Sequence, residues 1–151
     1  MSKESWLEEF YPISAEEMLT ANGRDASSVE IIAHSLRKWK GLTKENLAKH
    51  GIDNSHYYRG LREVEDIYKL FLEPFLEIDA DSCSLCQKFN ISGNCIECPL
   101  YKSLGNKTCY DSYYHDPGPY AIYDFRGDPQ PMIDALQKCV FDEIKRLKDD
   151  N

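Results

Sequence analysis

Apolar residues in the first half of the chain recur at helical spacing. Val29, Ile32, Ala33, Leu36 and Trp39 stand at i, i+3, i+4, i+7 and i+10, which predicts one helix with a single buried stripe. A longer amphipathic run carries Leu61, Val64, Ile67, Tyr68, Phe71, Leu72 and Phe75. Pro74 lies within it and should kink or end the helix, because proline lacks the N–H and its ring crowds the preceding turn.

Polar punctuation agrees with that period. Ser14-Ala-Glu-Glu17 and Ser27-Ser-Val-Glu30 are capping boxes, in which two backbone N–H groups at a helix start find side-chain acceptors. Thr43 can cap a third short helix containing Leu47 and Ala48, and Gly23, Gly41 and Gly51 supply stops. Residues 1–78 therefore read as helical.

Residues 79–127 lose the period. Gly, Asn, Ser, Pro, Cys and Tyr dominate, and so long an irregular stretch inside a domain needs something to order it. Tyr120, Ile122 and Phe125 predict one short strand there. Residues 128–148 return to a helix: Asp128 is the expected N-cap, Pro129 takes the first helical position and basic residues crowd the last turn. Met132, Leu136, Val140, Ile144 and Leu147 form its expected inward stripe, with Cys139 beside it. The expected fold is a single, mainly α domain over 1–151, with an irregular zinc-binding segment and a C-terminal helix.

Composition narrows the function classes. The 151 residues are 42% hydrophobic and 12% aromatic, with ten tyrosines, which is the make-up of a globular protein. That length buries most of its apolar surface without needing metal or disulfides to fold. Eighteen basic against twenty-six acidic residues leave a net charge of −8, which weighs against nucleic acid as the main partner. Residues 1–14 hold neither the apolar core of about seven residues nor the small-residue cleavage site of a signal peptide. No apolar run approaches the roughly eighteen residues that span a bilayer. The expectation is a cytoplasmic protein without a membrane partner, whose thiols stay reduced.

The candidate chemistry is concentrated in CSLCQKFNISGNCIECPLYKSLGNKTC, residues 83–109, which holds five of the six cysteines. Cys83-x2-Cys86 and Cys95-x2-Cys98 are separated by eight residues, and ten more precede Cys109. Each Cys-x2-Cys pair can wrap a metal from a tight turn, and two pairs complete a tetrahedron of thiolates. Gly93 and Asn94 supply the turn between them. The reading is one structural zinc on Cys83, Cys86, Cys95 and Cys98. Cys109 is held in reserve, as a substitute ligand or a neighbour, and His115 is a less favoured donor.

An iron–sulfur cluster also takes four thiolates, but neither ferredoxin spacing is present. A thioredoxin-like redox pair would sit at a strand–helix junction, and neither pair follows an apolar strand. Disulfides require export. Cys139 reads as a small buried hydrophobe on its helix.

Cys83-Ser-Leu-Cys86, Cys95-Ile-Glu-Cys98-Pro-Leu-Tyr101, Gly105, Cys109, Pro119-Tyr120 and the C-terminal helix together resemble a diffuse group of small cysteine-rich proteins of bacteria, archaea and phages. The likeness covers about residues 81–148. It implies metal binding and a phage origin, and carries no established activity. In that group the fifth cysteine comes shortly before Pro-Tyr, whereas here Pro119 lies ten positions after Cys109, with Tyr113-Tyr114-His115 between.

Three other features bear on function. Residues 34–62 carry Arg37, Lys38, Lys40, Lys44, Lys49, Arg59 and Arg62 against Glu45 and Asp53, a local +5 interleaved with Trp39, Tyr57 and Tyr58. Such a face could meet phosphates and stack bases, though the solvated side of amphipathic helices explains it as well. The acidic residues Glu4, Glu8, Glu9, Glu16 and Glu17 suit helix starts, and Trp6, Phe10 and Tyr11 suit a segment folded back on the core. No Gly-x-Ser-x-Gly, His-Glu-x-x-His or phosphate-cradling glycine loop is present, and a zinc held by four thiolates has no open position for water.

The functional expectation is therefore a non-enzymatic, zinc-stabilised protein-interaction factor, with the Tyr-rich segment 110–125 as its candidate surface. A zinc-containing nucleic-acid module using the basic 34–62 face is second. An iron–sulfur or other enzyme is third.

Overall fold

The helices over 28–40 and 44–49 start at capping side chains and stop at glycines. The structure, a computed structural model, describes residues 3–19, 26–52, 84–89, 95–110, 118–126 and 128–149. Eight helices form among the described residues: α1 (Lys3–Phe10), α2 (Ala15–Leu19), α3 (Ser28–Lys40), α4 (Lys44–Lys49), α5 (Ser84–Phe89), α6 (Pro99–Ser103), α7 (Pro119–Arg126) and α8 (Gln130–Asp149).

The predicted caps operate. Ser14 Oγ accepts from the Glu17 N–H at 3.1 Å while the Ser14 N–H donates back to Glu17 Oε1 at 3.4 Å, closing the full capping box. Ser27 Oγ accepts from the Glu30 N–H at 3.2 Å and Thr43 Oγ1 from the Asn46 N–H at 3.3 Å. Gly51, at φ 68°, ends α4 with its N–H on the Ala48 carbonyl and that of Ile52 on the Leu47 carbonyl. Gly23 and the run 61–75 with Pro74 lie outside the described residues.

Helix α3 is the central element. Its most extensive pairing is with α8, while α1, α2 and α5 rest on it as well; α6 and α7 lie against α8. One core cluster joins them through Trp6 and Phe10 of α1, Ile31, Ile32 and Trp39 of α3, Leu85, Leu100 and Tyr123 of α5 to α7, and Met132, Ile133, Leu136 and Cys139 of α8.

This central position alters the predicted stripe of α3. Ala33 is exposed, and Ile31, Ser35 and Lys38 are buried alongside Ile32 and Trp39. A helix covered from several sides buries a broader arc than a one-sided stripe, so polar residues are drawn in and must find partners. His34 Nε2 donates to the Ile13 carbonyl at 2.8 Å, and Lys38 Nζ sits 5.2 Å from the Tyr11 ring centroid. Burial lowers the His34 imidazole's affinity for a proton, with the Ile13 carbonyl acting in the opposite direction.

The C-terminal helix follows the same logic. The Gln130 N–H donates to Asp128 Oδ1 at 3.0 Å, and the helix begins at Gln130, one position later than expected, with the Pro129 carbonyl accepting the first helical bond from Ile133. The buried face runs Met132, Ile133, Leu136, Cys139 and Glu143, one position round from the predicted Val140 and Ile144. Glu143 goes inward because Ser28 Oγ donates to it at 2.7 Å and Arg146 donates at 2.6 Å and 3.2 Å. Those hydrogen bonds, Arg146 foremost, hold its carboxyl below the ordinary range.

A carboxyl with a depressed folded-state pKa stabilises the fold above its unfolded pKa, and the benefit is lost as pH falls through the folded value. Glu143→Gln is therefore expected to melt below the native protein at pH 7. The gap should narrow on acidification towards pH 3, as read by thermal unfolding across that range.

The segment 79–127 differs most from expectation. It contains α5, α6 and α7, three helices too short to show a sustained period. The strand expected at Tyr120, Ile122 and Phe125 is helix α7, headed by Pro119. Trp39 meets the rings of Tyr120 and Tyr123 edge-on at 5.7 Å and 4.9 Å. That i, i+3 pair shares one side because the segment is helical. No helix among the described residues is long and apolar enough to cross a membrane.

Candidate metal centre

Each cysteine of the expected zinc set is placed by the short element that carries it. Cys83 lies outside the described residues. Cys86 is half-buried on α5, which is anchored by Leu85 in the core and by Lys88 Nζ donating to the Ala26 carbonyl at 3.3 Å. Cys95 and Cys98 bracket one turn, because the Cys98 N–H donates to the Cys95 carbonyl at 3.0 Å. Ile96 and Glu97 at its tip are exposed. The turn places one cysteine at each of its ends.

Cys98 is also the N-cap of α6, with Pro99 as the first helical residue. Helix α6 is tied to α8 where Ser103 Oγ donates to Asp142 Oδ2 at 2.7 Å. Lys138 Nζ reaches the same carboxylate at 2.7 Å and the Ser103 carbonyl at 3.2 Å. Beyond α6 the chain reverses at Gly105 (φ 74°) and Asn106 (φ 65°), whose N–H groups return to the Lys102 and Tyr101 carbonyls. That reversal delivers Cys109 to α7, where the Tyr120 N–H donates to the Cys109 carbonyl at 2.8 Å.

Cys139 is a small buried hydrophobe on α8, as expected, and belongs to the core at 1% exposure. Burial pushes its thiol up to about 12, and the neighbouring Cys98 sulfur adds to this, as do Glu143 and Asp142. The second Cys-x2-Cys turn thus lies beside a neutral, inert thiol on α8. Cys86, Cys95, Cys98 and Cys109 are all half-buried. Among the described residues no disulfide joins them, and no group of three or more His, Cys, Asp or Glu side chains is arranged to hold a metal ion. His115 lies outside the described residues.

The other candidate surfaces resolve differently. In the Tyr-rich segment, Tyr110 is exposed with its ring 5.1 Å from Tyr120, and Tyr123 is buried. On the basic face, Lys40 and Lys44 are exposed, while three other cations are drawn to the protein itself. Arg37 Nε donates to the Glu9 carbonyl at 2.6 Å, Lys38 is buried, and Lys49 Nζ donates to Glu9 Oε1 at 2.8 Å. Arg59 and Arg62 lie outside the described residues. Helix α1 folds back on the core, as expected from Trp6 and Phe10, both buried.

That docking creates a constellation which local sequence does not reveal. Ser5 Oγ lies 2.7 Å from His50 Nδ1, and His50 Nε2 lies 2.7 Å from Glu9 Oε2. Ser5 and Glu9 stand one turn apart on α1, a spacing readable as a shared face. His50 arrives from the end of α4, and nothing in the sequence pairs it with them. Hydrogen bonds from Lys49 and then His50 hold the Glu9 carboxyl below its ordinary range. No protein-family model, curated protein or solved structure matches the chain.

Proposed function

We propose that the protein is a zinc-stabilised protein-interaction factor. Cys83, Cys86, Cys95 and Cys98 are the ligands of one structural zinc, and Cys109 is the reserve thiolate. The two-pair spacing supports this reading, together with the turn closed by the Cys98 N–H on the Cys95 carbonyl, which keeps the second pair within one short loop. Because zinc binds the folded form, its affinity adds to stability.

The observation that carries the interaction role is on α8. Phe141 is 74% exposed, and Ile144 and Leu147 are also large exposed hydrophobics within the same two turns. Clustered exposed apolar residues mark interaction surfaces, whereas scattered ones do not. Tyr110 extends the exposed aromatic content of the cysteine-rich half. By the likeness of its cysteine spacing, the setting is a phage or its host and the partner a host or viral protein.

Elemental analysis of the purified chain tests the metal: one zinc per chain is expected, and Cys83→Ser should lose it and lower the melting temperature. A brown protein with stoichiometric iron would replace zinc by an iron–sulfur cluster. Phe141→Asp should abolish partner capture while leaving zinc content unchanged. Salt-dependent retardation of DNA or RNA at low ionic strength would instead promote the basic 34–62 face.

A further inference from the structure

We propose that Ser5, His50 and Glu9 form a nucleophilic relay, in which Ser5 accepts acyl or phosphonyl groups from activated esters and fluorides. The inference concerns α1 and the end of α4, and it goes beyond the zinc and interaction reading without depending on it. Its geometry is that of a nucleophile, a base and an orienting carboxylate, each within hydrogen-bond reach of the next.

Proton positions follow from the partners. A carboxylate only accepts, so His50 Nε2 carries the proton shared with Glu9, and the lone pair of Nδ1 faces the Ser5 hydroxyl. Glu9 stays ionised because Lys49 and His50 both donate to it. It therefore fixes the tautomer and stabilises the imidazolium that forms during attack, which is the role of the acid in any such relay. The imidazole is itself held still: His50 is 7% exposed, and the Phe10 ring meets it edge-on at 5.9 Å. Ser5 is half-buried, leaving part of its surface open to a small electrophile.

With an ester, the Ser5 Oγ forms a bond to the carbonyl carbon as its proton passes to His50 Nδ1. The alcohol then leaves with that proton, and water later releases the acyl group by the same path reversed. With a fluorophosphonate, the new bond is O–P, the broken bond is P–F, fluoride departs as the anion and the proton rests on His50. Assistance by a positioned base of this kind is worth about 10²–10⁴-fold in rate.

The test incubates the full chain with a fluorophosphonate probe and maps the adduct by peptide mass spectrometry. The expected result is one adduct on Ser5, forming at least about 100-fold faster than on the exposed Ser27, in keeping with base assistance. Ser5→Ala should abolish it. His50→Gln should slow it by a similar factor, and Glu9→Gln, at a half-exposed site, should slow it while far-UV circular dichroism stays native. The same variants should keep the zinc content of the native protein. Labelling of Ser5 no faster than of Ser27, or undiminished in both the His50 and Glu9 variants, overturns the relay and leaves the zinc reading untouched.

Discussion

Trp6→Ala is expected to lower the unfolding free energy by about 3–5 kcal/mol, the range for truncating a buried aromatic. The indole is 1% exposed, its ring lies 5.6 Å from that of Phe10, and its Nε1–H donates to the Gly41 carbonyl at 2.8 Å. Alanine removes the largest apolar anchor between α1 and α3 and deprives a buried carbonyl of this donor. Trp6→Phe separates the two effects: it keeps most of the ring and should cost about 1–2 kcal/mol through the lost hydrogen bond. Urea denaturation measures both. A shift below about 1 kcal/mol for Trp6→Ala would mean that α1 does not fasten to the core in this way. Since α1 also carries Ser5 and Glu9, the same variant should depress labelling of Ser5.

The second large effect is expected at Gly118→Ala. A Cβ there would stand 2.4 Å from the Cys109 carbonyl oxygen, 2.8 Å from its carbon and 2.8 Å from the Thr108 oxygen. All three are backbone atoms, which cannot swing aside as the end of a side chain can. Accommodation would separate α7 from the Cys109 strand of chain and break the 2.8 Å bond from the Tyr120 N–H. Overpacking and the lost hydrogen bond together should cost about 2–4 kcal/mol. Gly105→Ala is the informative contrast: its position has φ 74° but nothing within 4 Å. It should lose only about 1–2 kcal/mol of stability, through the strain a Cβ brings to that conformation. Thermal melts that rank Gly105→Ala as the worse variant would refute this placement of α7 against Cys109.

Much of the local structure was legible because it depends on neighbours in sequence. Ser14, Ser27 and Thr43 cap the helices they precede, since a hydroxyl and the N–H three residues on are brought together by the helix itself. The Cys95–Cys98 turn is similar: its hydrogen bond spans three residues. The helix at Pro119–Arg126, where the sequence suggests a strand, differs for the opposite reason. Three apolar residues in six do not fix a period, and on the folded chain Tyr120 and Tyr123 both meet Trp39 edge-on, from one side of a helix.

The amphipathic faces show where local reading stops. On α8 the sequence favours Val140 and Ile144 as inward residues, yet Cys139 and Glu143 take those places. Hydrophobicity alone would expel a glutamate; it stays because Ser28, 115 residues away along the chain, and Arg146 satisfy it. On α3, coverage from several sides draws in Ser35 and Lys38. Neither outcome can be seen from one helix by itself.

By itself, then, the sequence determined the helical character of α1 to α4 and of α8, the caps at Ser14, Ser27 and Thr43, the stops at Gly41 and Gly51, the turn around the second cysteine pair and the fold-back of the Trp6 segment. These follow from short-range hydrogen bonding and from the pressure to bury large apolar side chains. Only the tertiary structure decided which face of α3 and α8 turns inward, that Cys139 lies beside Cys98, and that Ser5, His50 and Glu9 meet. Those arrangements join residues far apart in the chain, and the packing of one helix against another sets their distances.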